Sequence, residues 1–202
     1  MLFNKSNFEA FERRYRANFF NTISGFKSAN LIGTVSKNGI SNLAVFNSVV
    51  HLGANPPLVG FIMRPLTVPR HTYDNIKASS YYTINSIQED FITKAHQSSA
   101  KYEKDESEFE AVGLNQLQES SFPAPYVKES AIRLGLRYRN EYPIEENGTI
   151  MIVGEIEEAF VSEEIIQTDG SIDLAAKKVV SISGLDTYLA VKKLEKLPYA
   201  RP

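Results

Sequence analysis

Aromatic residues near the N-terminus recur at helical spacing. Ser6 and Glu9 have the spacing of a capping box, in which two side chains satisfy free backbone N–H groups at a helix start. The rings that follow are mostly three or four residues apart, as on one face of a helix: Phe8, Phe11, Tyr15, Phe19 and Phe20. The pattern predicts one helix from Ser6 to about Asn18.

The next hydrophobic runs are typical of strands. Residues 29–36 form a short apolar run, Lys37-Asn38-Gly39 supplies turn residues, and a second apolar run extends from Ile40 to about residue 54. We therefore predict a β-hairpin with a long second arm. Asn55-Pro56-Pro57 ends that arm, and Leu58–Met63 is predicted to be a buried third strand.

A loop between Pro65 and Pro69 leads into a predicted helix. Thr72 is the expected N-cap residue, because its hydroxyl can accept from a free N–H of the first turn, and the helix is expected to end near Ala78. Residues 81–85 predict a further strand. Two more pairs with capping-box spacing predict short helices: Ser86 with Glu89, and Ser107 with Glu110 before Gly113.

Two long strands are predicted in the C-terminal third. Residues 132–139 alternate between apolar residues and arginines, which is typical of a strand with one solvent-facing side. Thr149–Val161 is the second strand, and we expect an interruption near Gly154. From Gly184 onward, spaced leucines fit either a helix or a tail laid across the barrel.

This order of elements predicts a mainly β fold with attached helices. It lacks the regular βαβ alternation of a doubly wound sheet and favours an antiparallel barrel. The chain is 43% hydrophobic and 11% aromatic, enough for a continuous core, and we expect a single domain over residues 1–202.

Charge and composition narrow the possible partners and location. A net charge of -2 and a pI near 6.0 do not support binding to nucleic acid or a membrane surface. Cysteine is absent, which excludes disulfides and cysteine metal sites. We find neither a signal peptide nor a membrane span, so the expected location is the cytoplasm.

Familiar catalytic motifs are missing. His51, His71 and His96 are far apart and lack carboxylates at metal-ligand spacing, so no metal site is predicted. The sequence also lacks a serine-hydrolase elbow, a P-loop and a dinucleotide fingerprint. We therefore assign no catalytic side chain.

Two polar clusters are candidates for ligand binding. Small polar residues such as Asn47 and Ser48 interrupt the apolar second arm, where either the backbone or a bound ligand must satisfy them. Arg64, Arg70, His71 and Thr72 lie together after the third strand. That second cluster is either a phosphate site or a solvated loop.

At these clusters the sequence resembles the flavin reductase-like FMN-binding split-barrel family, which includes flavoredoxins and the reductase components of two-component monooxygenases. The segments that carry the resemblance are Asn42-Leu43-Ala44-x-Phe46-Asn47-Ser48, Asn55-Pro56-Pro57-Leu58-Val59, Arg70-His71-Thr72-Tyr73-Asp74-Asn75-Ile76, Tyr82-Thr83-Ile84-Asn85, Ser107-Glu108-Phe109-Glu110-Ala111-Val112-Gly113-Leu114 and Gly154-Glu155-Ile156. The sequence departs from the family pattern at His71, where relatives often carry an acid, and at Asn47-Ser48, which replaces a Ser-Ser pair.

The resemblance implies a function and a set of site residues. It implies non-covalent FMN, with Arg70 and Thr72 at the phosphate, Phe46–Ser48 along the ribityl chain and ring edge, and Asn85 touching the flavin. We add Arg64 to this site because it belongs to the polar cluster after the third strand. The resemblance also implies a homodimer that takes hydride from NADH or NADPH and passes electrons to a small-molecule acceptor or a partner oxygenase.

Three hypotheses remain open at this point. The chain is either such a reductase or an FMN-binding electron carrier that does not accept hydride efficiently. A third hypothesis is a structural or interaction domain without a cofactor, in which the sheet satisfies the polar arm.

Overall fold

The chain forms mainly antiparallel β-structure, in a computed structural model that describes residues 1–117 and 120–201. The strands are β1 (Lys27–Ser28), β2 (Asn30–Val35), β3 (Ser41–Phe46), β4 (Val50–Ala54), β5 (Pro57–Met63), β6 (Tyr81–Ser86), β7 (Ile132–Ile144), β8 (Thr149–Val161), β9 (Ser181–Ser183) and β10 (Thr187–Leu189). The α-helices are α1 (Lys5–Ala10), α2 (Arg13–Ile23), α3 (His71–Ser79), α4 (Ile92–Gln97) and α5 (Glu108–Val112).

The main sheet closes on itself as a barrel. Its seven strands follow the order β3-β2-β6-β7-β8-β5-β4, so β3 and β4 are its two edges. In a flat sheet six strand spacings would separate those edges by about 29 Å. Only residues 47–49 connect them, and that link reaches at most about 15 Å from Cα to Cα. The sheet must therefore curl until its edges meet, which confirms the predicted split barrel.

Side chains on the two faces of the sheet enter different cores. Leu31 and Ile32 are neighbours on β2 and point to opposite faces, as in any strand. Ile32 lies in the barrel interior with Phe61, Tyr82 and other buried residues. Leu31 packs outside the barrel in a second core, against residues of α4 and α5. Helices α4 and α5 therefore cover an outer face of the sheet, whereas α3 contributes Ile76 to the barrel interior.

The N-terminal region contains two helices where one was predicted. The cap of the first lies two residues earlier than expected, because the Asn4 and Asn7 side chains form the capping box in place of Ser6 and Glu9. It ends at Phe11, and the Glu12 carboxylate then accepts the Arg14 and Tyr15 N–H groups and begins α2. No residue of either helix is buried.

At three helices the predicted serine or threonine side chain does not cap the helix, although Ser107 is the N-cap residue of α5 as predicted. Thr72 lies inside the first turn of α3, whose N-cap is Arg70 without a side-chain cap. Ser86 is the last residue of β6, and its hydroxyl accepts the Ile132 N–H. Ser107 does precede α5, but its hydroxyl bonds to Ser41. In each case a tertiary contact uses the hydroxyl that the local pattern assigned to a cap.

The β-strand predictions hold with three corrections. The long second arm is two strands, β3 and β4, because the chain crosses between the barrel edges at residues 47–49. Strand β8 runs through Gly154 without a break, and the pairing shifts on β7 opposite it, between Tyr138 and Asn140. After β10, residues 190–201 have no regular structure, so no C-terminal helix forms. Within the described ranges, no helix is long and apolar enough to cross a bilayer.

Candidate functional site

The predicted residues Phe46, Asn47 and Ser48 lie at the seam where the barrel edges meet. The Ser48 hydroxyl accepts the Ile62 N–H at 3.0 Å and lies 3.3 Å from the Ile62 carbonyl, so the link between the two edge strands is bonded to β5, the neighbour of edge strand β4. The Phe46 ring packs on Phe61, with the ring centres 5.0 Å apart. Asn47 donates to the Gly184 carbonyl at 2.7 Å. All three side chains are half-buried and hold the seam together.

The predicted cationic residues lie at a corner between β5 and α3. Arg64 directly follows β5 and is exposed, while Arg70 is half-buried at the N-cap of α3. The Arg70 Nε lies 3.4 Å from the Pro65 carbonyl, which is a weak contact. Among residues 1–117 and 120–201, neither arginine forms an ion pair with a carboxylate. Neither guanidinium is therefore paired with a carboxylate in this part of the chain, although Asp74 also lies in the first turn of α3.

A hydrogen bond connects the corner to the strand that leads into the seam. The Thr72 hydroxyl lies 3.3 Å from Asn42 Oδ1, and both residues are buried. Asn42 and Phe46 are four residues apart on β3 and so point to the same face. The Ser48 hydroxyl also bonds to Ile62, two residues before Arg64, so the seam and the arginine corner adjoin each other.

Asn85 has a different place from the one the resemblance implies. It is fully buried in β6, and its amide nitrogen donates to the Leu31 carbonyl at 3.2 Å and to the Thr83 hydroxyl at 2.8 Å. Its amide oxygen accepts the Val127 N–H at 3.0 Å. Because both ends of the amide are used and no surface is exposed, we leave Asn85 out of the candidate site.

Helix α3 is fixed from its other side by a cluster against β7. The Tyr73 hydroxyl donates to Glu141 at 3.1 Å, and burial followed by that hydrogen bond raises the pKa of Tyr73. Lys77 donates to the Tyr138 hydroxyl at 2.9 Å and lies 3.2 Å from Glu141. The Tyr138 contact is the main cause that raises the pKa of Lys77. These contacts hold the helix that carries Thr72.

The sequence analysis missed a buried polar network beneath the corner. The Asn75 amide donates to the Thr34 hydroxyl at 3.0 Å, and Thr34 lies 3.4 Å from Asn42 Oδ1. Glu108, at the start of α5, accepts a hydrogen bond from the Asn42 amide nitrogen. Asn42 and Glu108 were visible in the family-like segments, but their partners are 30 to 66 residues away, and no local pattern reveals such pairing.

Two cavities of the barrel lie away from the corner. The larger, of about 250 Å³, is lined by Gly39, Ser41, Gln116 and Phe122 among others. The smaller, of about 120 Å³, is mainly apolar and lies near Ala29. Within residues 1–117 and 120–201, no group of three or more acidic or histidine side chains is placed to hold a metal ion. The candidate site is an open corner at the seam.

Comparison with known proteins assigns the fold to a family. The sequence model of the flavin reductase-like domain matches residues 23–172. The chain belongs to the flavin reductase-like family. The matched range contains the seam, the arginine corner and the buried network beneath it, so every part of the candidate site falls within this family's domain.

Individual relatives agree with this assignment. A split-barrel protein from Shewanella frigidimarina NCIMB 400 is 50% identical, with a TM-score of 0.95 over 99% of this chain and 100% of its own. An uncharacterised protein from Halalkalibacterium halodurans is 30% identical over 156 residues, which are 74% of each chain. Nitrilotriacetate monooxygenase component B from Bacillus cereus is 19% identical, with a TM-score of 0.85 over 98% of each chain, and shows the fold alone.

The donors at the corner suit a phosphate group. A guanidinium without a carboxylate partner and a hydroxyl at the first turn of a nine-residue helix are the kinds of donor that phosphate oxygens accept from. A flavin mononucleotide carries such a phosphate at the end of its ribityl chain, and the half-buried seam adjoins the corner. The residues therefore fit a phosphorylated flavin.

Proposed function

We propose that this flavin reductase-like protein is an FMN-dependent oxidoreductase that uses NADH or NADPH as the hydride source. Its FMN is bound without a covalent link. The electrons pass on to a small-molecule acceptor or to a partner oxygenase. Family membership supports the flavin, and the arginine corner supports a flavin with a terminal phosphate.

One observation supports a flavin that carries phosphate. Arg70 has no carboxylate partner in the described part of the chain, and it directly precedes the helix whose first turn carries Thr72. A charge-assisted hydrogen bond contributes about 1.5 to 3 kcal/mol. Arg64 lies in the adjacent loop and adds a second positive charge. This set of donors favours a phosphorylated ligand over riboflavin.

The protein's own side chains bind and orient the ligand. When bound, FMN supplies the hydride and electron transfer chemistry, so no catalytic acid or base is required of the protein. Arg70 and Thr72 hold the phosphate, and Arg64 draws the anion to the corner. Phe46, packed on the barrel interior, gives the ribityl and ring side an apolar, rigid wall.

A partner oxygenase is a reasonable acceptor for the electrons. A protein of the same fold, nitrilotriacetate monooxygenase component B, is by its name one component of an oxygenase system. A free small-molecule acceptor fits equally, because the described cavities do not enclose the seam where the flavin ring would lie. The cytoplasmic location remains a prediction.

We also propose that the chain is a homodimer whose interface includes the seam. Large apolar side chains are exposed on edge strand β4 and in the loop before α3: Val50 at 46%, Leu52 at 41%, Leu66 at 46% and Val68 at 51%. Clustered exposed apolar residues are typical of interaction surfaces. Light scattering is expected to give twice the chain mass of 22.7 kDa.

A matched pair of variants tests this interface. We expect Leu52→Asp to favour the monomer, because a charge would be buried in the interface. Ile166→Asp, at a position 47% exposed beyond β8, should leave the mass unchanged. A wild-type protein that stays monomeric with saturating FMN would contradict the dimer.

Two spectroscopic measurements test the proposed activity. FMN added to the purified protein should be bound, with quenched fluorescence, and riboflavin should bind more weakly because it lacks the phosphate. Anaerobic mixing of the FMN-loaded protein with NADH, then with NADPH, should bleach the flavin absorbance rapidly with at least one of them. Tight FMN binding with slow bleaching by both would indicate an electron carrier, and absence of FMN binding would exclude both functions.

A further inference from the structure

Glu108 is a buried carboxylate at the first residue of α5, with 6% of its surface exposed. One oxygen, Oε2, accepts two hydrogen bonds of 2.9 Å from β3, one from the Leu43 N–H and one from Asn42 Nδ2. Within residues 1–117 and 120–201 it forms no ion pair. A buried carboxylate is costly unless donors satisfy it, so the two bonds are strongly held.

The carboxylate fixes the orientation of the Asn42 amide. Because an ionised carboxylate only accepts hydrogen bonds, the Asn42 nitrogen must face Glu108 and its oxygen must face away. That oxygen lies 3.3 Å from the Thr72 hydroxyl and 3.4 Å from the Thr34 hydroxyl. A line of contacts thus runs from α5 through β3 to the first turn of α3.

The network also allows the Thr72 hydroxyl to change partners without leaving a buried group unsatisfied. The Asn75 amide donates to Thr34, so the Thr34 proton is available for Asn42 Oδ1. When the Thr72 proton turns towards a phosphate oxygen, Thr34 still satisfies Asn42. The corner can therefore accept an anion at the cost of rotating one hydroxyl.

We propose that Glu108 is a positioning residue for the phosphate corner, acting through Asn42 on Thr72. This inference rests on the proposed function, because it assumes that the corner binds the FMN phosphate. Glu108 does not touch the ligand. It holds the Asn42 oxygen where it orients Thr72, so the first turn of α3 is in place before the ligand arrives.

A purely structural role for Glu108 predicts a different result. If the carboxylate only holds α5 on β3, its loss should weaken the binding of every flavin to a similar extent. If it positions the phosphate corner, its loss should weaken FMN and leave riboflavin, which has no phosphate, unchanged. The ratio of the two dissociation constants separates the two roles.

The experiment measures FMN and riboflavin binding to full-length variants by fluorescence quenching. Glu108→Ala is expected to raise the FMN Kd about five-fold, the cost of ordering on binding a side chain that is no longer held in place beforehand, with the riboflavin Kd unchanged. Glu108→Gln keeps an acceptor and should recover part of this loss. Glu110→Gln, an exposed glutamate on the same helix, is the matched control.

A double variant tests whether the two residues act through one path. Because Glu108 acts through Thr72, Glu108→Ala combined with Thr72→Val should weaken FMN no more than Thr72→Val alone. Should Glu108→Ala fail to fold, Asn42→Ala removes the connection between Glu108 and Thr72 in another way. It retains the hydrogen bond from the Leu43 N–H to Glu108. Its FMN Kd should rise by a similar factor.

The outcomes distinguish this inference from the proposed function. If Arg70→Ala and Thr72→Val both keep the wild-type preference for FMN over riboflavin, the phosphate corner itself is wrong. If those two variants lose the preference while Glu108→Ala and Asn42→Ala keep it, only the positioning role is overturned. Equal weakening of both flavins in Glu108→Ala also overturns it.

Discussion

The barrel interior and the arginine corner hold their side chains by different means. In the interior, Phe61 and Tyr82 pack ring against ring with centres 5.6 Å apart, and neighbouring strands approach closely. At Gly154, an added Cβ would lie 2.1 Å from the Tyr82 hydroxyl oxygen. Close packing fixes the side chains of this region, and no space remains for an added atom.

The corner is held by hydrogen bonds that leave some groups free. Asn42, Thr34 and Asn75 satisfy one another beneath the surface, while Arg64 and Arg70 form no ion pair within the described ranges. The barrel interior is therefore a rigid frame. The corner is the region that can bind a ligand, because its arginine side chains still have hydrogen-bond donors to offer. Changes to the frame should therefore alter stability, and changes to the corner should alter affinity.

The largest expected effect is the loss of stability in Gly154→Ala. The new methyl group would overlap the Tyr82 ring and hydroxyl, and overpacking of this kind costs about 3 kcal/mol. Urea denaturation should show a lower free energy of unfolding. Gly53→Ala is the matched control, since its nearest atom, the Pro56 carbonyl oxygen, would be at 3.5 Å. A similar stability for both variants would mean that the barrel interior is looser than described.

Arg70→Ala should have the next largest effect, on affinity and not on stability. Loss of a charge-assisted contact with phosphate should weaken FMN binding by about 2 kcal/mol, or about 30-fold in Kd. Riboflavin binding should hardly change. Arg137→Ala, at an exposed arginine of β7 that lies 3.9 Å from Glu157, is the control. Equal FMN affinity in wild type and Arg70→Ala would remove Arg70 from the site.

Tyr82→Phe should leave stability unchanged or raise it by about 1 kcal/mol, because an unpaired buried hydroxyl is costly. The Tyr82 hydroxyl is fully buried and has no hydrogen-bond partner among the described residues, and burial raises the pKa of Tyr82. Thermal unfolding of the variant and of the wild type shows whether the stability rises or falls. The same change should also recover part of the loss in Gly154→Ala. A clear loss of stability would show that the hydroxyl has a partner.

The smallest expected effect concerns the exposed N-terminal helices, outside both regions. The Arg14 and Tyr15 N–H groups bond to the Glu12 carboxylate and lower the pKa of Glu12. Since the folded-state pKa is depressed, the cap stabilises α2 above the unfolded-state pKa. That contribution is lost as the pH falls through the folded-state pKa.

Amide hydrogen exchange checks this cap. Glu12→Ala should speed exchange in α2 at neutral pH, and the difference from wild type should vanish in acid. Glu9→Ala, at an exposed residue 4.0 Å from Lys5, should exchange like wild type. Unchanged exchange in Glu12→Ala would show that packing among the N-terminal rings alone holds α2.

Most strands could be predicted from the sequence because their signals are local. The Lys37-Asn38-Gly39 turn and the apolar runs beside it locate β2 and β3, and Gly39 adopts the positive φ of 81° that the turn requires. The helix starts were predicted less well, since Ser, Thr, Asn and Glu side chains can cap a helix or bond elsewhere. The division of β3 from β4 depends on barrel closure, which no local pattern encodes.

The candidate site was predictable in part. Arg64, Arg70 and Thr72 are close in sequence, so their clustering after β5 could be read directly. The link from Thr72 to Asn42 and the burial of Glu108 arise from packing of distant segments, which no local pattern reveals. Asn85 is the opposite example. Its place in a family-like segment suggested a contact with the flavin, but its amide forms hydrogen bonds inside the barrel.

A crystal structure of the FMN complex tests the central claim most directly. We predict that the phosphate lies within hydrogen-bond distance of the Arg70 guanidinium and the Thr72 hydroxyl, with the ribityl chain running along the seam at Phe46. A phosphate bound elsewhere, for example in the cavity beside Ser41, with Arg70 still turned to Pro65, would contradict it.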